Sequence, residues 1–391
     1  MRRIRLRFHL HKWDAVIYGD NDTDYLVNYI LKPIGLNGIL RNNNEIVLFP
    51  VLLLLIIKNI KFFSFFHIKR SLRLIYEMAL LDAYNCRVVI TFFDDSALFY
   101  DLSRIDLKRK YYAIQNGTRF DWHVNAYHKS NFKSIKSEPM IYFSFGDYEM
   151  DVFNKFNFNH RTYFPAGSLR ASVYMEQKDS MANDRIKYDI CLVSAFINNS
   201  PIIDNAVARV YRDQKVIYGK EIVDNEYYEA WTKIAENMYR YIKETGKKVV
   251  VCLRGYDNPF EKEFFNKYLG GVATIQPRSR FGAYDAIYNT NIVISSGCTT
   301  ILEALGWGKK LIQIDYTASK CWTSHYVDGF WQLTDNTYEA FKEKLNYINN
   351  VDNLKYNERI KDYADYVMKY DEKQPTFKLI RNHIYSDLKT I

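Results

Sequence analysis

Residues 291–315 read NIVISSGCTTILEALGWGKKLIQID, and the reading of this run decides the fold. Asn291–Ser295 is apolar and β-branched, the pattern of a strand buried on both faces. A loop of small residues follows, then an apolar-periodic stretch that ends at Gly306 and Gly308, glycines suited to closing a helix. Lys310–Ile314 is a second strand of the same character. Strands joined through a helix run parallel, because only a crossover of that length can connect them. Ser295, Ser296, Gly297, Thr299 and Thr300 crowd the helix N-terminus. Unpaired N–H groups and the positive end of the helix dipole favour an anion at such a place. The hydroxyls add donors, and Gly297 lets a phosphate come close. Glu303 lies about one turn further on, where a carboxylate accepts from ribose hydroxyls. Ser and Thr are also the preferred N-caps, so the same residues fit an ordinary helix start.

The pattern repeats on either side. Downstream of residue 188, strands are expected at Tyr188–Val193, Lys248–Leu253 and Val272–Ile275. A charged helix spans 224–245 and ends at Gly246; a short helix covers Phe281–Asn289. Upstream, strands are expected at Asp14–Tyr18, Arg87–Phe93, Tyr111–Gln115 and Met140–Phe145, and the half closes on Tyr163–Ser168. Residues 46–81 are mostly apolar with helical breaks. Residues 172–187 are polar and read as a linker, and 336–391 as a helical, amphipathic tail. Strands alternating with helices make an α/β chain. The expected organisation is a Rossmann-like domain over 1–171, a linker over 172–187, a second Rossmann-like domain over 188–335, and helices over 336–391 that return to the first domain. A length of 391 residues fits two domains.

Composition narrows the classes. Hydrophobic residues make up 48% and charged residues 25%, which excludes disordered and collagen-like chains. The net charge of +9 suits phosphorylated small molecules, nucleic acid or an anionic membrane surface. Lys and Arg are scattered, with no zinc-finger spacing and no RNA-recognition aromatic motif, so nucleic acid is not an expected partner. Cys86, Cys191, Cys252, Cys298 and Cys321 are odd in number and widely spaced, as reduced cytosolic thiols are. The N-terminus is basic but interrupted by polar residues and lacks an apolar signal core. The longest apolar run, Val47–Ile57, is short of the ~20 residues of a spanning helix. A cytoplasmic protein is expected, with a place on the inner face of the plasma membrane if it is peripheral.

Residues 284–315 resemble the donor-nucleotide segment of GT-B glycosyltransferases. The matching features are Tyr284-Asp-Ala-Ile-Tyr288, the loop from Ser295 to Thr300, and Glu303-Ala304-Leu305. YNCRVVITFFDDSALFYDLS (84–103), AIQNGTR (113–119), YFSFGDYE (142–149) and FPAGSLR (164–170) resemble bacterial surface-carbohydrate transferases of capsule or O-antigen type. The resemblance covers about residues 84 to 330. It implies two Rossmann-like domains facing a central cleft, a nucleotide-sugar donor and a glycan or lipid-linked acceptor. One departure matters. Many retaining members carry two glutamates across this loop and helix; Glu303 stands at the second position and Ser295 at the first. That favours an inverting transfer.

The resemblance further implies a cation at Arg254 for the donor diphosphate, whose charge grows as it leaves. Arg278 and Arg280 are further candidates, for the diphosphate or for the rim of a base pocket, and Ser194 ends the first strand of that half. With these cations no metal and no cofactor is required, and Asp20-Asn21-Asp22 fits a turn better than a metal motif. An inverting transfer needs a general base on the acceptor hydroxyl. Asp94 and Asp95, at a strand's carboxyl end, lead; Asp121 and His123 follow. Asn116, Gly117, Arg119 and Gly167 are expected on the acceptor side, and His325 near sugar or base. Turn and N-cap roles for Asp94 and a solvated His123 are the plainer alternatives.

Ile56–Arg70 mixes aromatics with Lys and Arg. It reads either as a core helix with a solvated turn or as a segment lying in a bilayer interface. Three other functions share the pattern. A polyol-phosphate transferase would want histidines in the second half, where His325 stands alone between 161 and 382. A nucleotide-sugar epimerase would show Ser-Gly-Gly with paired glutamates, against Ser296-Gly297-Cys298 here. A non-catalytic two-lobed sugar binder would need an export signal.

Overall fold

The computed structural model describes residues 3–6, 11–19, 22–41, 45–62, 68–92, 94, 96–118, 140–155, 162–178, 187–196, 226–255, 259–317 and 329–389. They fall into two compact units. Described residues within Met1–Asn116, Lys133–Val173 and Tyr370–Ile391 form the first, and those within Gly117–Phe132 and Tyr174–Lys369 the second.

The first unit holds β1 (Arg3–Leu6), β2 (Ala15–Tyr18), β3 (Gly38–Arg41), β4 (Glu45–Leu48), β5 (Val88–Thr91), β6 (Lys110–Ile114), β7 (Met140–Ser144) and β8 (Thr162–Pro165). Six of these form one parallel sheet in the order β3-β2-β5-β6-β7-β8, while β1 and β4 pair separately. All of β2 and β5 is buried, as a parallel sheet covered on both faces requires. Helices α1 (Leu52–Lys58), α2 (Ile68–Tyr84), α3 (Ala97–Ile105) and α4 (Tyr148–Lys155) lie between the strands in sequence. α2 turns Leu74, Ile75, Met78 and Leu81 inward, a helical stripe. It also carries Glu77, which receives Arg41 Nη2 at 2.7 Å and the Tyr18 hydroxyl at 2.9 Å, so that buried cation is fully paired.

Four strands here lie within two residues of their expected places. Residues 46–81, read as apolar with helical breaks, begin in the strand β4, and α2 runs past them to Tyr84; β3 lies upstream, in a stretch where no strand was expected. α5 (Leu169–Lys178) is a helix, so the first residues of the polar stretch 172–187 belong to it, and the division between units falls inside it.

The second unit holds β9 (Tyr188–Val193), β10 (Val249–Cys252), β11 (Thr274–Gln276), β12 (Thr290–Ser295), β13 (Lys310–Ile314) and β14 (Gln332–Leu333). They form a second parallel six-stranded sheet, ordered β11-β10-β9-β12-β13-β14. Its helices are α6 (Glu226–Thr245), α7 (Pro259–Leu269), α8 (Gly282–Tyr288), α9 (Thr299–Gly306), α10 (Tyr338–Asn350) and α11 (Asn353–Val367). α6 ends at Gly246, whose φ of 67° suits a residue without a Cβ. From β9 the chain winds one way through β10 and β11, then returns to start β12 on the other side of β9. Such a reversal is where open α/β sheets leave a crevice at the strands' carboxyl ends.

The tail divides. α10 and α11 belong to the second unit, and α12 (Thr376–Lys389) to the first. Asp387 of α12 accepts from the Tyr112 hydroxyl at 2.6 Å and Lys110 Nζ at 3.1 Å. The Thr376 hydroxyl donates to the Ala166 carbonyl at 2.8 Å, and His383 packs edge-on to Phe143 and Phe164.

Candidate functional site

The carboxyl edge of the second sheet gathers the donor-side candidates strand by strand. The pairing Leu192↔Ile294 continues to bring Ser194 level with Ser296, on the two strands that flank the reversal. The pairing Cys252↔Gln276 likewise brings Arg254 level with Arg278. Arg278 Nη1 donates to the Arg254 carbonyl, so the turns after β10 and β11 are joined. Arg254, Arg278 and Arg280 are all exposed, and they put three guanidiniums along this edge.

The loop after β12 does not behave as an ordinary N-cap. The cap residue is Cys298, with extended φ and ψ of −121° and 158° and no side-chain capping bond. The Ser295 hydroxyl lies 3.3 Å from the Cys298 thiol, which burial pushes up and keeps protonated. Thr299 Oγ1 receives the backbone N–H of Thr118 at 3.0 Å, and the Thr118 hydroxyl lies 3.2 Å from it. Ser296 is only 4% exposed and its hydroxyl has no hydrogen-bond partner among the described residues. Gly297 has a φ of 120°, a conformation that a side chain resists. Thr300 is half-buried in the first turn of α9.

Glu303 points into the protein. It is buried and its Oε2 receives the Tyr284 hydroxyl at 2.8 Å. Tyr284 stacks on Tyr174 at 5.4 Å, and Trp307 closes on both. The Tyr174 hydroxyl donates to Asp285 at 2.9 Å. This cluster ties α5, α8 and α9 together beneath the loop.

Sequence reasoning missed Glu261. It is fully buried at the start of α7 and accepts the backbone N–H groups of Arg254 and Gly255, each at 2.8 Å, and the Ser194 hydroxyl. Ser194 Oγ in turn accepts from Phe196 N at 3.1 Å. Ser194 is therefore spent inside the fold, holding the loop after β9. The signal was present: Asn258-Pro259-Phe260-Glu261 has the spacing of a capping box with proline at the first helical position.

In the first unit, Asp94 is 2% exposed and follows β5. Its Oδ2 receives the Tyr142 hydroxyl at 2.6 Å and its Oδ1 the Asn116 N–H at 3.2 Å; the Tyr100 hydroxyl donates to its carbonyl. The side chain thus fixes the turn after β6. Asn116 and Gly117 are half-buried there. Gly167 is buried after β8, with a φ of 90°, and its N–H donates to the Ser144 carbonyl at 3.2 Å. Asp22 forms an ion pair with Arg170, Oδ2 to Nη2 at 2.6 Å, a turn contact. Asp95, Arg119, Asp121, His123 and His325 lie outside the described residues.

The sequence family described as O-antigen biosynthesis protein matches residues 112–384, from β6 into α12. The chain belongs to that family. No curated protein matches it. Among solved structures, the O-antigen family chain is similar to S. aureus MnaA in its co-structure with UDP. Identity is 13%, coverage 100% of this chain and 98% of that one, and the TM-score 0.54. It is also similar to the Methanocaldococcus jannaschii UDP-GlcNAc 2-epimerase in complex with UDP-GlcNAc and UDP, at 10% identity, 97% and 100% coverage and a TM-score of 0.52. The wall teichoic acid polymerase TagF aligns at 10% identity over 96% of this chain and 90% of that one, with a TM-score of 0.52. The fold of the O-antigen family chain is GT-B, with the C-terminal helix that the sequence led us to expect.

Proposed function

We propose that the protein is a glycosyltransferase. It moves a sugar from a nucleotide-sugar donor to a glycan or lipid-linked acceptor during surface polysaccharide biosynthesis. The observation that carries this reading is Ser296: a hydroxyl withdrawn from water, without a partner among the described residues, beside a helix N-terminus and next to the reversal in strand order. Burying such a group costs about 1–3 kcal/mol unless something accepts its proton, and a phosphate oxygen is a strong acceptor. The UDP bound by S. aureus MnaA and by the M. jannaschii epimerase supports a nucleotide ligand.

In this reading the first N–H groups of α9, Gly297 and Thr300 receive the phosphates, and Arg254 and Arg278 neutralise the leaving nucleoside diphosphate. These guanidiniums do what a divalent cation does elsewhere, so the transfer runs without a metal. The acceptor hydroxyl attacks the anomeric carbon in line with the departing phosphate, with inversion. Its proton goes to a general base. Because Asp94 is occupied by Tyr142 and Asn116, it acts as a positioning residue for the Asn116–Gly117 turn, and Asp95 or His123 takes the proton. Glu303 reaches the donor through Tyr284 rather than by touching the ribose.

Thermal unfolding with UDP, CDP, GDP and CMP tests the donor site. One nucleotide at about 100 times its Kd stabilises by about 2.7 kcal/mol. Ser296→Ala and Arg254→Ala each remove most of that gain while leaving the unliganded midpoint within about 1 °C of the parent, since neither position anchors the fold. No gain with any of the four nucleotides overturns the reading. A second reading, nucleotide-sugar epimerase, is favoured by the epimerase among the similar structures. Incubation of nucleotide-sugar in D2O separates the two. A transferase releases nucleoside diphosphate only when acceptor is present; an epimerase returns an isomeric nucleotide-sugar carrying deuterium.

A further inference from the structure

α1 is the most exposed apolar helix of the first unit. Leu53, Leu54 and Ile57 are 68%, 67% and 58% exposed, and Val51 and Ile60 on its flanks 50% and 54%. They recur at a spacing that puts Leu53, Leu54 and Ile57 on one helical face. α2 packs on α1 and presents Ile68 and Leu72, also about half exposed, with Lys69 between them. A folded chain gains nothing by holding this many large apolar side chains in water.

The charge around them is of one sign. From Ile46 to Tyr76 the sequence has five basic residues, Lys58, Lys61, Lys69, Arg70 and Arg73, and no Asp or Glu. Arg70 is paired with Asp101, and Lys58 lies 3.5 Å from Asp82; Lys58, Lys61 and Lys69 are exposed. A second observation adjoins the first. A cavity of about 660 Å³ opens at the amino ends of β2, β5 and β6, and Leu55 and Lys58 of α1 form one of its walls. Lys12, Lys58, Arg87, Lys108 and Arg109 line it against only Asp14 and Asp82. Asp82 is held by Arg109 at 2.8 Å, and Asp14 faces Arg87 at 3.6 Å, so the acids are already matched and Lys12 and Lys108 add positive charge to the mouth.

We infer that α1 and the start of α2 form a docking surface for an anionic lipid bilayer. Leu53, Leu54, Ile57 and Ile60 enter the acyl boundary, the lysines meet the lipid charge, and one phosphodiester headgroup seats in the basic cavity. Apolar insertion with basic flanks is the physical signature of an interfacial helix. No helix among the described residues is long and apolar enough to cross a membrane. The inference stands apart from the transfer reading, because it is read by binding alone.

The test is flotation of the full chain with vesicles of phosphatidylcholine alone and with 30 mol% phosphatidylglycerol, at low and high salt, together with light scattering. The protein is expected to float with the anionic vesicles about tenfold better than with the neutral ones, and to lose that preference in high salt. Leu53→Glu with Ile57→Glu, both solvent-facing and tolerable to the fold, reduces flotation about tenfold or more. Lys12→Glu with Lys108→Glu reduces only the anionic preference. Circular dichroism and the nucleotide-induced thermal shift stay at parental values in both pairs. Equal flotation of parent and L53E/I57E overturns the inference. So does a parent dimer that the same pair converts to monomer without any vesicle binding, which would assign the face to a second copy of this chain.

Discussion

Glu261 is a carboxylate taken wholly out of water and surrounded by three donors from two loops. Charge-assisted bonds of this kind contribute roughly 1.5–3 kcal/mol each when one partner is ionised, and they couple the loops after β9 and β10 to the first turn of α7. Glu261→Gln keeps the shape but offers one oxygen and presents an N–H₂ to N–H donors. We expect a loss of about 3 kcal/mol, near 10 °C in the midpoint of a unit this size, read by calorimetry. An unchanged midpoint would mean that the carboxylate braces nothing. The first unit uses the same device: Glu149, one residue into α4, receives Gln115 Nε2 at 2.6 Å. Lys309 is the opposite case. Its ammonium is half-buried beneath Tyr288 and donates to the Tyr288 and Thr290 carbonyls at 2.6 and 3.2 Å. Burial first, and then Lys178, bring it down to about 8. The folded state therefore sheds this proton before the unfolded chain does, and between about pH 8 and 10 the unfolded chain holds more protons. Stability must rise with pH across that window, by no more than about 1.4 kcal/mol per unit and less for the share that water still reaches. Below pH 8 the protonated lysine costs stability. Urea midpoints at pH 7.5, 8.5 and 9.5 should climb in the parent and stay level in Lys309→Met; parallel slopes would remove Lys309 as the cause.

At the scale of elements, the β12–α9 turn is decided by one backbone angle. Gly297 sits at φ 120°, which a side chain reaches only with strain. Gly297→Ala is expected to cost about 1–3 kcal/mol and, by moving the loop, to abolish the nucleotide-induced thermal shift. Gly246→Ala, at φ 67° behind α6, carries comparable strain far along the chain and should lower the midpoint while leaving the shift intact. If both variants bind nucleotide alike, the loop is not the site. The strands that form the middle of both sheets were legible beforehand because each is a short β-branched run between turn residues, and period and punctuation agree. β3, β4 and β14 were not: GILR, EIVL and the two-residue QL are too brief to carry a period of their own, and their pairing partners are chosen by tertiary contact. The backbone requirement at Gly297 was legible, because loop composition reports it. Glu261 and the burial of Asp94 were not, because which carboxylate turns inward depends on donors that are distant in sequence, such as Tyr142 for Asp94.

Over the whole molecule the repeated α/β pattern was readable; the tail, expected as one group of helices, divides, with α12 joining Lys110 and Tyr112 through Asp387 and α10 and α11 in the second unit. What composition could not say is which sheet edge carries the ligand, since both units end their strands in small and polar residues. Charge and satisfaction separate them. In the first unit the Asp94 carboxylate, the Gln115 amide and Glu149 satisfy one another's turns. In the second, Ser296 finds no partner among the described residues, at an edge that carries Arg254, Arg278 and Arg280. An edge whose polar groups are matched gains little from a ligand; one with an orphaned donor and exposed cations gains much. Hydrogen exchange of the full chain, with and without the nucleotide that raises its melting temperature, turns this difference into an outcome. The greatest slowing should fall on peptides spanning 190–196, 250–255 and 292–301, which are the carboxyl ends of β9, β10 and β12 with the start of α9. Peptides spanning β5 and β6 should change less. Greater slowing after β5 and β6 than after β12 would move the donor site to the first unit and leave Ser296 without a role.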